Sequence, residues 1–217
     1  MASSVATPIG IIGGTGDQGR GLAFRFATAG LEVLIGSRDA DRANKVAEEF
    51  GLPNLRGTDN ASVATACAIA IVAVPWSGHE ATITELASFL GGKIVIDCVN
   101  PLGFDDKGAF ALSVAEGSAC QQAQKLLPES IVIGAFHSVS SMSLLDPSIT
   151  DLAIDVLILG DDRAATDQVA ALAECLPGAR GIYAGRLRNA GQIEALTANL
   201  ISINRRYKAH SSLRITL

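Results

Sequence analysis

The sequence predicts a doubly wound α/β fold: a parallel sheet with helices on both faces, then a small C-terminal α/β part ending in a long helix. Three observations predict it. Short apolar runs alternate with helical segments along the chain. Those runs are continuous in Ile, Val and Ala rather than alternating, as strands covered on both faces require. The first run leads into a glycine-rich turn, Gly13-Gly14-Thr15-Gly16-Asp17-Gln18-Gly19, with Gly21 behind it.

The first strand spans 9–12 and the first helix 18–29. Between them, Gly14-x-Gly16-x-x-Gly19 fits the dinucleotide fingerprint of a Rossmann-type unit. Gly14 makes the tight turn, Gly16 lets the backbone approach a pyrophosphate, and Gly19 lets helix and strand pack closely. Gly14, Thr15, Gly16, Asp17, Gln18 and Gly19 are therefore candidate phosphate-binding residues at the positive end of a helix. The second strand, 32–35, runs out into Gly36-Ser37-Arg38. NAD-binding units carry an acid there for the ribose 2′-OH. A hydroxyl and a guanidinium stand here instead, which favours the 2′-phosphate of NADP. Arg42, a helical turn beyond Arg38, is a third candidate for that phosphate. Asp39 reads either as a displaced ribose acid or as the N-cap of the helix 40–50, which Gly51 ends.

Helices at 60–66, 77–90 and 118–127 and strands at 69–74, 94–96 and 131–135 continue the alternation. Ligands of such sheets lie beyond the carboxyl ends of the strands, and three strand ends carry candidates. Val74, Pro75, Trp76, Gly78 and His79 follow one, Asn100 the next, and His137, Ser138 and Val139 the last. Trp76, the only tryptophan, suits either a cofactor ring or the rim of the core. His137, directly after a buried strand, reads as a positioning residue. Further on come a strand at 155–159, a helix at 164–176, a strand at 181–184 and a helix at 190–206. That last helix is apolar on more than one face, which predicts a subunit contact through outward positions such as Ile201 and Ile203.

Composition narrows the class. Hydrophobic residues make up 48% of the 217 and charged residues 18%, with mean hydropathy +0.33, so extensive burial or oligomerisation is expected. No run approaches the ~18–20 apolar residues of a membrane span. The N-terminal residues lack the basic and apolar regions of a signal peptide. Cys67, Cys98, Cys120 and Cys175 lie far apart without a C-x-x-C pair, which predicts reduced thiols in a cytoplasmic protein and no metal site. The net charge of −5 hides a basic C-terminal segment, 181–217, in which Glu194 is the only acid. Without an aromatic stacking set or a basic stripe in the main domain, nucleic acid is not an expected partner.

The catalytic machinery is sparse. Neither Tyr183 nor Tyr207 has a lysine four residues on, so the acid–base pair of short-chain dehydrogenases is missing. Reduction of a ketone or imine calls for a proton donor. Hydride exchange between two redox cofactors calls only for two rings held together in a dry pocket. No single essential catalytic side chain is expected.

These motifs give the chain a recognisable character. It resembles, over nearly its whole length, the NADPH:F-420 oxidoreductases, which move hydride between NADP and an 8-hydroxy-5-deazaflavin coenzyme. The resemblance rests on the glycine-rich turn, Gly36-Ser37-Arg38, Val74-Pro75-Trp76, Gly134-Ala135-Phe136-His137, Gly160-Asp161-Asp162 and Ala184-Gly185-Arg186-Leu187. It implies an NADP-binding domain at 1–139 and a small domain at 140–217 carrying the deazaflavin pocket and a homodimer contact. It implies that residues 15–18 hold the pyrophosphate and that Ser37, Arg38 and Arg42 hold the 2′-phosphate. It also gives the basic C-terminal segment a purpose, since the coenzyme carries a phosphate and a polyglutamate tail. Members of the family often have lysine where Arg42 stands, and relatives place a histidine where Gly78 stands, one position before His79. Two other readings stay open: an NADPH-dependent reductase of another acceptor (flavin, ferric ion or imine), and a non-catalytic NADP-sensing module. The cytosolic domains of membrane metalloreductases are similar to this family as well.

Overall fold

A computed structural model describes residues 7–216; most of the N-terminal stretch read above for a targeting segment lies outside them. In chain order the first half comprises β1 (Ile9–Ile12), α1 (Asp17–Thr28), β2 (Val33–Ser37), α2 (Ala40–Phe50), β3 (Leu55–Asp59), α3 (Asn60–Ala66), β4 (Ile69–Val72) and α4 (Trp76–Leu90). Then follow β5 (Ile94–Asp97), the hairpin β6 (Leu102–Asp105) and β7 (Gly108–Ala111), α5 (Ala119–Leu126), β8 (Ile131–Gly134) and α6 (Ser141–Leu145). The last part holds β9 (Ile154–Leu159), α7 (Arg163–Ala173), β10 (Ala179–Gly185), a 3-10 turn and α8 (Ala190–Tyr207).

Eight strands form one sheet in the order β10-β9-β8-β5-β4-β1-β2-β3, so β1 and β4 flank the point where the winding reverses. Successive side chains of one strand enter opposite cores. Ile11 packs with Leu22, Phe26 and Ile35, while Ile12 packs with Val72, Ile83 and Leu86. That two-sided burial is why the strand sequences are continuously apolar. β9 and β10 extend this same sheet instead of forming a second one. β9 joins β8 antiparallel, through the Gly134–Leu159 pair, whereas the sequence predicts parallel strands throughout. The chain between them does not form a covering crossover helix on the sheet. Its short helix α6 packs against α1 instead.

Three features hold the N-terminal half together. A Cβ on Gly19 would lie 2.5 Å from Gly14 Cα, the close helix–strand approach expected of the fingerprint. Asp39 caps α2, its Oδ1 accepting from Asp41 N and Arg42 N, and Gly51 ends that helix at φ 63°. Arg25, nearly buried on α1, donates to the carbonyls of Leu144, Ile149, Ser143 and Asp146 at 2.6–2.9 Å. It thereby satisfies the open end of α6 and the loop beyond it.

Candidate functional site

The carboxyl ends of β1, β4, β5 and β8 converge on one cleft of about 510 Å³. Gly16, Asp17 and Gln18 enter it from the glycine-rich turn, and Val74, Pro75 and Trp76 from the end of β4. Val99 and Asn100 follow β5, and His137, Ser138 and Val139 follow β8. Residues of α8, among them Thr197, Leu200, Ile201 and Asn204, close the far side. Sequence reasoning could not place α8 here, because its distance along the chain hides its return over the strand ends.

The turn suits a phosphate. Gly16 is the N-cap of α1, offers no side-chain cap, and has nothing within 4 Å of where a Cβ would stand. The amides of the first turn are thus left for an anion. At the end of β2, Ser37 is buried and its Oγ accepts from Asp39 N, while Arg38 and Arg42 are exposed and enter no ion pair among the described residues. Phe136, just before His137, sits at φ 64°, a left-handed conformation rarely taken by a bulky residue. Gln18 Nε2 donates to its carbonyl, tying the glycine-rich turn to the end of β8.

Behind the cleft wall lies a buried polar knot. Fully buried His79 places Nε2 2.6 Å from Asp97 Oδ2 and Nδ1 2.9 Å from Gln122 Oε1. Burial opposes its charged form, but Asp97, Gln122 and Glu194 outweigh burial and raise its pKa. The sequence reading places His79 among the cofactor-binding residues; the structure instead buries it behind the cleft wall. It turns inward because the buried Asp97 carboxylate needs a partner, and it joins α4 to β5. Gly78 likewise lies outside the cleft wall, on the first turn of α4, while Trp76 at the head of that helix is in it.

Glu194, the lone acid of the basic segment, is also buried. Its carboxylate accepts from Ala119 N at 2.9 Å and Cys120 N at 3.1 Å, clamping α8 onto the N-terminus of α5. Burial pushes its pKa up to about 7. Donor atoms of Cys120, His137 and Glu194 lie within 4.8 Å of one another. The amides of α5 already engage the carboxylate, and burial keeps the Cys120 thiol protonated. One signal of this clamp is legible in the sequence: a single acid among many cations on a helix with apolar faces.

Comparison with known proteins shows the family. Residues 8–101 match the family model described as "NADP oxidoreductase coenzyme F420-dependent". The F420-dependent NADP reductase of Methanothermobacter thermautotrophicus is 36% identical, covering 100% of this chain and 97% of that protein. The chain belongs to the F420-dependent NADP oxidoreductase family. A second member of the family, from Methanothermobacter marburgensis, is 38% identical over 96% of this chain and 97% of its own length. A solved Arthrobacter sp. FB24 structure, described as an F420-dependent NADP reductase, superposes with TM-score 0.83 at 27% identity, covering 97% and 100% of the two chains.

Proposed function

We propose that this protein is an oxidoreductase that passes hydride directly between NADP(H) and the 8-hydroxy-5-deazaflavin coenzyme F-420. Full-length identity to the reductases named above carries the reading. The residues present fit the nucleotide: an uncapped helix start with an open Gly16, and two exposed guanidiniums at the end of β2. Residues 15–18 hold the pyrophosphate in this proposal, and Ser37, Arg38 and Arg42 the 2′-phosphate. NADPH supplies a hydride at the nicotinamide C4. The chain's part is to hold the two rings in near-attack contact and to keep water out. Val74, Pro75, Trp76 and Val139 furnish apolar wall, and no buried acid–base residue is needed at the acceptor carbon.

Residues 1–139 serve the nucleotide and 140–217 the deazaflavin side and the contact of a homodimer. A second groove of about 610 Å³, bordered by Lys107, Arg205 and Arg206, shares Ile201 with the cleft. It suits the anionic tail of the deazaflavin. Cytoplasmic residence is supported by cysteines that are all unpaired. No helix among the described residues is long and apolar enough to cross a membrane.

Deuterium on C4 of NADPH provides the test. It should arrive on C5 of the deazaflavin when the reaction runs in ordinary water. Label found in the solvent, or no deazaflavin reduction while another acceptor is reduced, would replace this reading by an acid–base reductase.

A further inference from the structure

Among the described residues, the buried side-chain atoms without a hydrogen-bond partner are Arg20 Nε, Asn100 Oδ1 and His137 Nδ1. The last two belong to neighbouring residues in the wall of the cleft. Buried polar groups are ordinarily satisfied, and an unpaired one is costly. Asn100 and His137 are joined by a hydrogen bond and both line the cleft, so their open atoms point to a ligand that pairs with both.

The polarity of each is set by its other bond. Asn100 Nδ2 donates to the His137 carbonyl at 2.9 Å, so the remaining carboxamide atom is an acceptor. The reverse orientation would set oxygen against oxygen. Thr197 Oγ1 donates to the same carbonyl at 3.1 Å and holds the wall to α8. Burial keeps the His137 ring neutral, its pKa held down to about 4. Its Nε2 lies 3.6 Å from Cys120 Sγ, a thiol that burial keeps protonated. A thiol is a weak acceptor and a bare imidazole nitrogen a good one. The Asp97 carbonyl oxygen, at 4.0 Å, is the thiol's other acceptor within reach, but Nε2 is nearer; the S–H donates to Nε2, and the ring proton resides on Nδ1.

We infer that Asn100 Oδ1 and His137 Nδ1–H together read one amide edge of a bound cofactor, an N–H beside a C=O, and that Cys120 positions this reader by selecting the His137 tautomer. The inference rests on the cofactor reading above. Oδ1 accepts from the amide N–H, and Nδ1–H donates to the amide oxygen. Two sources offer that edge: the carboxamide of nicotinamide and the N3–H and carbonyl of the deazaflavin pyrimidinedione.

Calorimetric binding to the intact protein separates them. NADP is compared with its 3-acetylpyridine analogue, which keeps the carbonyl but replaces NH2 by methyl. The deazaflavin is compared with its N3-methyl derivative. We expect about tenfold weaker binding of the altered ligand in one pair, and loss of that discrimination in Asn100→Ala. Equal affinities within both wild-type pairs overturn the inference while leaving the cofactor reading intact. Absence of any NADP and deazaflavin binding overturns both. Nitrogen-15 NMR of labelled histidine tests the tautomer: wild-type His137 should carry its proton on Nδ1. Cys120→Ser should preserve that state, and Cys120→Ala should shift it toward Nε2. A wild-type ring protonated on Nε2 overturns the role of Cys120 and the amide reader with it.

Discussion

Arg38 stands exposed beyond β2 without an ion pair among the described residues, open to the proposed 2′-phosphate. Arg38→Ala removes a charge-assisted contact of roughly 1.5–3 kcal/mol. NADP affinity should fall about 10- to 100-fold with little change for NAD, as titration with each nucleotide will tell. Trp76→Ala should slow turnover by roughly one or two orders of magnitude through misplacement of the rings. Single-turnover kinetics with both cofactors saturating will separate that effect from weaker binding. Glu194 contributes a pH signature. Folded, it ionises at about 7; its unperturbed value is 4.5. A carboxyl with a raised folded pKa stabilises fully below the unfolded value, and that stability is lost as pH rises through the folded one. Wild-type stability relative to Glu194→Gln should therefore decline between about pH 4.5 and 7, measured by urea midpoints at each pH. A constant difference across that range would mean that the carboxyl titrates normally.

At the scale of elements, α1 does two tasks. Its N-terminus faces the cleft, and its buried face carries Arg25, whose guanidinium ties α6 and the following loop to α1. Gly21 permits that contact, since a Cβ there would meet Leu144 Cβ at 2.6 Å. Ser141 and Met142 of α6 line the cleft, so the clamp also sets part of its wall. Arg25→Lys keeps the charge but not the planar fork of donors. It should cost roughly 2–4 kcal/mol by chemical denaturation, because several buried carbonyls lose their partner at once. The strands absent from the sequence reading, β3, β6 and β7, are each missing for a local reason. β3, Leu55-Arg56-Gly57-Thr58-Asp59, is an edge strand with a single fully buried residue, so it lacks the apolar run that marks the central strands. Its Gly57 sits under α2, where a Cβ would come within 2.1 Å of Ala43. The hairpin β6–β7 exposes Phe104 and Phe110 on a two-stranded ribbon, and a ribbon of that length carries no periodicity long enough to read.

For the whole molecule, apolar surface remains exposed on one side. Phe104, Phe110, Ile203 and Tyr207 are all exposed, on the hairpin and on α8, which pack against each other. Ile201, expected from the sequence to face outward, instead lines both the cleft and the neighbouring groove. Ile203→Asp is thus the cleaner probe of the proposed homodimer. Sedimentation velocity should show dimer for the wild type and monomer for the variant, and a wild-type monomer at micromolar concentration would end that proposal.

The sequence by itself determined the two-sided sheet, the glycine-rich turn at the head of α1 and the cations at the end of β2 for which the 2′-phosphate contact is proposed. Each is written in neighbouring residues: continuous apolar strands, glycines at fixed offsets, and Ser37-Arg38 where a strand ends. Helix 40–50 is legible because Asp39 caps it through local hydrogen bonds, and the structure shows Asp59 doing the same for 60–66. Tertiary structure alone decided which polar residues face the cleft and which face the core. His79 and His137 both follow strand ends, yet the first is claimed by a buried carboxylate and the second reaches the cleft wall. Tertiary structure also decided that α8 closes the site, through Glu194 and Thr197 reaching α5 and β8 across long stretches of chain. Such choices depend on which buried charge needs a partner, and that partner is chosen in space, where no local spacing records it.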